Sequence, residues 1–293
     1  MEPRKVGWIG TGVMGKSMCG HILKAGHTVS VYSRTREKAS DLLSAGAVWR
    51  KNPADVAGNS DVVFSIVGFP HDVEEVYLGA DGILSRARAG AVVCDMTTSE
   101  PSLARRIHAE AEKRGMKSLD APVSGGDIGA REAKLAIMVG GDRGAYEEVL
   151  PLFRLMGETI SFMGGPGSGQ HTKMANQILI ASTVIGVVES LLYAQRAGLG
   201  MDAVIDVIGK GAASSWSINN LGRRISKGDY NPGFFIKYFV KDMGIALQEA
   251  RKMKLALPGL ALVNQFYVAA QALGLENLGT QGLFKVLETM NGI

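Results

Sequence analysis

Lys173 stands in the stretch GQHTKMANQ, directly ahead of the almost wholly apolar run ILIASTVIGVVESLLYAQ. Read as one helix over Gln170–Gln195, this pattern puts a cation in the first turn, where the helix dipole opposes it and lowers its proton affinity. Asn176 follows three residues later and shares its face, with Gln177 close by. A lysine poised nearer neutrality can pass a proton to or from an oxygen atom. Taken alone, a solvated lysine at a fraying helix end gives the same letters.

A second constellation is Gly10-Thr11-Gly12-Val13-Met14-Gly15, set between an apparent strand and an apparent helix. There Gly10 permits the tight turn, Gly12 lets backbone approach a pyrophosphate, and Gly15 lets helix pack on strand. The helix head adds free N–H groups and partial positive charge. An NAD-type site carries an acid about 20 residues on, at the end of the second strand. Here that stretch reads Tyr32-Ser33-Arg34-Thr35-Arg36. Arg34 can pair with a 2′-phosphate while Ser33 and Thr35 supply hydroxyls, so NADP(H) is favoured over NAD(H). Both arginines also suit a solvated helix face. A third candidate is Ser124-Gly125-Gly126 in DAPVSGG, whose backbone N–H groups and hydroxyl suit an anion. A purely structural turn has the same composition.

The elements that must position these residues follow from the pattern. KVGWIG, HTVSVYS, SDVVFSIVG, GAVVCDM and MKSLDAPV look like strands, with helical stretches such as GKSMCGHILKAG, REKASDLLSAG and EPSLARRIHAEAEKRG between them. That alternation predicts an α/β, doubly wound parallel sheet. KLAIMVGG and TISFMGG add strands around a helix near Gly144 to Met156. After the breaker cluster GGPGSG strand signals nearly vanish, which divides the chain into 1–163 and an all-helical 164–293. Gly209–Gly211, Lys227–Gly233 and Pro258–Gly259 read as loops in that second part. The long apolar helix is interrupted by Asn176, Gln177, Ser182, Thr183 and Glu189, which suits a core or subunit interface better than a membrane span.

Composition narrows the function classes. The charge of +4 is spread along the chain with no basic block, so a nucleic-acid footprint is unsupported. Cys19 and Cys94 sit in no metal-type spacing, so neither a disulfide scaffold nor a metal site is expected. MEPRKVGWIG leads straight into a strand with no signal or transit segment, and a cytoplasmic protein is expected.

Together, the glycine turn, MTTSEP, DAPVSGG and GSGQHTKMANQ resemble the β-hydroxyacid dehydrogenase family, in the family's order and over essentially the whole chain. The resemblance implies a Rossmann-type domain followed by an all-α domain for substrate binding and oligomerisation, assembled as a homodimer or homotetramer. It also implies hydride exchange between a nicotinamide cofactor and a small carboxylate-bearing substrate. It assigns Lys173 as proton donor or acceptor and Asn176 to positioning the substrate. It places the substrate carboxylate at Ser124, Gly125 and Gly126, and Asp242 in the same pocket. It puts Thr98 and Lys241 beside the cofactor, with Val67 and Gly68 at the end of SDVVFSIVG. The stretch 213–242 is expected to line the substrate pocket, with Trp216, Phe234, Phe235 and Phe239 narrowing it, extending it or serving as core. Two alternatives of the same fold are an imine reductase, which usually lacks the lysine, and a non-catalytic NADP-binding scaffold.

Overall fold

In the computed structural model, which describes residues 2–292, six strands lie side by side, every neighbouring pair parallel. They are β1 (Lys5–Ile9), β2 (Thr28–Tyr32), β3 (Val48–Trp49), β4 (Val62–Ser65), β5 (Val92–Asp95) and β6 (Lys117–Asp120), in the order β3-β2-β1-β4-β5-β6. Their apolar residues alternate between two cores. Val62 and Phe64 of β4 join one cluster and Val63 the other, and β5 repeats this with Val92 and Cys94 against Val93. A parallel sheet buried on both faces needs strands of this kind.

The covering helices of this unit are α1 (Val13–Lys24), α2 (Ser40–Ser44), α3 (Pro53–Gly58), α4 (Pro70–Leu78), α5 (Pro101–Glu112), α6 (Gly126–Arg131) and α7 (Arg143–Phe153). Met18 and Ile22 of α1 and Phe153 of α7 fill one core; Val73 of α4 and Ile107 of α5 fill the other. The sheet is not parallel throughout. β8 (Leu135–Gly141) runs antiparallel to β6 and to β7 (Val123–Ser124), and β9 (Gly157–Gly164) returns parallel to β8. The segment from β7 to β8 is too short for a parallel crossover, so the chain doubles back.

The compact units divide between Lys173 and Met174, inside α8 (Ser168–Arg196). This helix begins two residues before the expected Gln170 and ends one after Gln195. Among the described residues it alone is long and apolar enough to cross a membrane by length and composition, and 44% of its most apolar window is buried. The second unit continues with α9 (Met201–Ile208), α10 (Arg223–Ser226), α11 (Ile236–Lys252), α12 (Pro258–Ala272) and α13 (Leu283–Met290). Val188, Ile205, Phe239, Met243, Tyr267 and Phe284 form its core, with Phe239 edge-on to Tyr267 at 5.1 Å.

Two local expectations are corrected. Pro258 and Gly259 open α12 instead of forming a loop, because proline's fixed φ suits the first helical position and its missing N–H is not needed there. REKASDLLSAG folds as a 3₁₀ turn over Arg36–Ala39 followed by the single turn of α2.

Candidate active site

Since β1, β2, β4, β5 and β6 are parallel, the loops that follow them leave one edge of the sheet, where ligands of such folds bind. After β1, Gly10 adopts φ +94, and a Cβ there would run into the carbonyl oxygen of Ile66. A Cβ on Gly15 would strike the Gly10 carbonyl oxygen. Packing therefore explains both glycines. It does not explain Gly12, whose φ of −68 suits any residue and whose Cβ would meet nothing within 4 Å. Gly12 caps α1 without a side-chain hydrogen bond. Thr11 next to it is buried, with a hydroxyl that has no hydrogen-bond partner among the described residues. Val13 is 63% exposed and Met14 packs against the core. An uncapped helix head, a glycine with no steric cause in its own chain and an orphaned hydroxyl fit the pyrophosphate of a dinucleotide.

After β2 come Ser33, Arg34 and Thr35. The Arg34 Nη1 donates to Oδ1 of Asp72 at 2.8 Å, and that carboxylate is 6% exposed against 75% for the arginine side chain. The other Asp72 oxygen accepts from the Phe69 N–H at the head of α4, at 3.0 Å. Arg34 is thus fixed from one side and open to solvent on the other. Arg36 instead lies over the Trp49 ring, 5.6 Å from its centroid.

The loops after β4 and β5 are joined. The Thr97 N–H donates to Asp95 Oδ1 at 3.0 Å, as does the Ser65 hydroxyl, while the Val67 N–H donates to the Thr97 hydroxyl at 2.9 Å. Burial pushes the Asp95 carboxyl up to about 6 against those stabilising bonds. Gly68 and Thr98 follow Val67 and Thr97, and both are half-buried.

After β6, Asp120 holds the head of α8. Its two oxygens accept from the Gly167 and Gln170 N–H groups, each at 2.8 Å, yet burial still pushes its carboxyl up to about 6. The Gln170 side chain accepts from the Ser99 N–H at 2.9 Å and donates to the Thr97 carbonyl at 2.7 Å. Lys173 lies one turn further along and is 6% exposed. Where β7 passes into α6, Gly125 and Gly126 take φ +131 and +63, left-handed values that glycine alone adopts freely. Ser124 pairs with Ala136 of β8 just before them.

In the helical unit, the Asn176 amide donates to Gln177 Oε1 at 2.7 Å, and Gln177 donates to Asp242 Oδ2 at 2.6 Å. Lys241 Nζ lies 3.1 Å from Asp242 Oδ1. Asp242, expected at the substrate, is 1% exposed and directed at Gln177 and Lys241. Phe239 is core, whereas Trp216 is 67% exposed. Among the described residues no three His, Cys, Asp or Glu side chains are grouped to hold a metal ion.

Sequence reasoning missed Asp72, Asp95 and the task of the Gln170 side chain. The one local signal was Asp95, an acid closing the otherwise apolar strand VVCD; Asp120 closes the mixed strand KSLD and carried no such mark.

This fold and sheet edge define a dinucleotide-binding protein of the Rossmann type. Residues 5–165 match the NAD binding domain of 6-phosphogluconate dehydrogenase, and residues 167–287 match the NAD-binding domain of NADP-dependent 3-hydroxyisobutyrate dehydrogenase. The chain is 53% identical to a probable 3-hydroxyisobutyrate dehydrogenase-like protein, mitochondrial, of Arabidopsis thaliana, over 99% of this chain and 86% of that one. It is 39% identical to the 2-hydroxy-3-oxopropionate reductase of Escherichia coli, over 98% of both. The 3-hydroxyisobutyrate dehydrogenase of Mycobacterium tuberculosis, solved with L-serine, superposes with a TM-score of 0.89 at 28% identity, over 98% of this chain and 99% of that one. The chain belongs to the β-hydroxyacid dehydrogenase family, and is an NAD(P)-dependent oxidoreductase acting on CH–OH groups.

Proposed function

We propose that the protein is an NADP(H)-dependent reductase of small aldehyde acids, working in reverse as a β-hydroxyacid dehydrogenase. The observation that carries this reading is Lys173, 6% exposed at the head of a helix anchored to the sheet edge that bears the glycine turn. Bound there, the nicotinamide supplies or accepts hydride. The pyrophosphate rests on Gly10, Thr11, Gly12, Val13, Met14 and Gly15, and a 2′-phosphate on Arg34 with Ser33 and Thr35. Val67, Gly68 and Thr98 line its path. Lys173 gives its proton to the carbonyl oxygen during reduction and recovers one from the hydroxyl during oxidation. Ser124, Gly125 and Gly126 hold the carboxylate, and Asn176, one turn beyond Lys173, orients the oxygen. Asp242 and Lys241 belong to the same reading, Lys241 on the cofactor side and Asp242 serving the substrate side through Gln177 and Lys241, the groups its two oxygens face.

Support for the substrate class comes from the relatives. Their names specify small hydroxy or oxo acids, and the L-serine held by the Mycobacterium tuberculosis enzyme carries a hydroxyl β to its carboxylate. The reading includes a cytoplasmic homodimer or homotetramer with no nucleic-acid or membrane partner. Exposed Leu179 (65%) and Tyr193 (76%) on α8 support self-association. Oxidation of NADPH and NADH, followed with semialdehyde acids, glyoxylate and cyclic imines, tests the function. Turnover of imines alone would make the protein an imine reductase, and no turnover with tight NADPH binding would make it a scaffold.

A further inference from the structure

We infer that Gln170 is a positioning residue that fixes Lys173 against the loop beside the cofactor; this rests on the role proposed above for Lys173. Gln170 is fully buried, and both ends of its amide are committed to one backbone segment, accepting from Ser99 N and donating to Thr97 O. A donor and an acceptor in the partner fix which way the amide points. The backbone of Gln170 is held independently, since its N–H and that of Gly167 share the Asp120 carboxylate. The helix head has no slack beneath it. A Cβ on Gly169 would collide with the carbonyl oxygens of Met138 and Asp120, and one on Gly140 would lie 2.7 Å from the Gly169 nitrogen.

The clamped loop is itself tied back. Thr97 bonds to Asp95 and receives the Val67 N–H, so the segments after β4, β5 and β6 meet at Gln170 through an unbroken series of hydrogen bonds. Thr98 lies within the clamped triplet, and Lys173 lies three residues beyond Gln170 on the same face of α8. An apolar side chain could fill this space without the desolvation that a buried amide suffers. What apolar contact cannot supply is direction. Two opposed hydrogen bonds set the helix head in register with the loop, and a shift of about 1 Å between reacting groups can cost about a hundredfold in rate.

Two variants test this, Gln170→Leu and Gln170→Glu. The leucine variant should lose roughly 10- to 100-fold in kcat for semialdehyde reduction, with the dinucleotide KM within about threefold of the parent. The glutamate variant carries its own control. A buried glutamic acid titrates above its usual range; protonated, it donates to Thr97 O and accepts from Ser99 N, restoring the clamp. Ionised, it has no hydrogen to give. Its kcat relative to the parent should therefore fall about tenfold or more between about pH 5 and about pH 8. The groups around it are Asp120 at its backbone, Asp95 behind Thr97, Lys173 one turn on, and the Arg105–His171 pair. Measuring parent and variant at each pH divides out their common titration.

Amide hydrogen exchange at Ser99 supplies a readout that does not need turnover, and should accelerate about tenfold or more in the leucine variant. A kcat within twofold of the parent in both variants, a pH-independent loss in the glutamate variant, or unchanged Ser99 exchange overturns the inference. Should the leucine variant not fold, the glutamate variant near pH 5 decides. Should the parent reduce none of the aldehydes, the functional reading fails, while Ser99 exchange still decides the clamp.

Discussion

The Arg34 guanidinium and the Asp72 carboxylate form a 2.8 Å ion pair between residues 38 apart in sequence, with the acid buried and the base facing solvent. The pair holds the arginine in place before any phosphate arrives, which reduces the side-chain ordering that binding must impose. Arg34→Ala should weaken NADP(H) by about 1.5–3 kcal/mol, the scale of a lost charge-assisted hydrogen bond, and leave NAD(H) nearly unchanged. Titrations with both dinucleotides check this, and equal losses refute the 2′-phosphate assignment.

The glycines separate folding from binding. Gly15→Ala drives a Cβ into the Gly10 carbonyl oxygen and to 2.8 Å from Ile66 Cγ2, so about 1–3 kcal/mol of stability should be lost. Gly12→Ala meets nothing in the chain and should melt like the parent while dinucleotide affinity falls. Thermal melts with and without NADPH distinguish the two. A Gly12→Ala protein with parental affinity contradicts the pyrophosphate site.

Such distinctions mark what the sequence could and could not reveal. The glycine turn, the longer strands and the long helix were legible because each is specified by neighbours within a few residues; the two-residue β3 and β7 were not, being too short to carry a pattern of their own. The ion pair and the Gln170 clamp were not, because their partners lie 38, 71 and 73 residues away and become neighbours only once the sheet is assembled. Pro258–Gly259 reads as a loop from sequence but opens α12, because the same two residues suit a loop and a helix start equally well. The antiparallel β8 was hidden for a similar reason, since strand direction is set by the length and path of a connection and leaves little mark on side-chain type.

Asp95 and Asp120 bear on stability against pH. Burial raises both carboxyls from 3.8 to about 6 in the folded protein. The folded state therefore binds more protons than the unfolded one between about pH 4 and about pH 6, and stability falls as pH rises through that window. Each group contributes at most about 1.4 kcal/mol per pH unit. Asp95→Asn keeps the Oδ1 that accepts from Ser65 and Thr97, removes the buried charge, and should flatten this slope. Urea unfolding from about pH 4 to about pH 8 measures it; identical slopes in parent and variant rule out Asp95 as a source.

Lys173 carries the sharpest prediction. If it transfers the proton, Lys173→Ala should reduce kcat by about 10²–10⁴-fold. Dinucleotide affinity should change little, since the turn at Gly10–Gly15 and Arg34 hold the cofactor in this reading. Lys173→Arg should be nearly as slow, because a guanidinium keeps the charge but releases its proton only above about pH 12. The two variants separate proton transfer from simple attraction of a carboxylate, since an electrostatic anchor tolerates arginine in part. Single-turnover rates of NADPH oxidation, taken at saturating aldehyde, isolate the chemical step from binding. An arginine variant with near-parental single-turnover rates would reduce Lys173 to an anchor, and the proton would then have to come from water or another side chain.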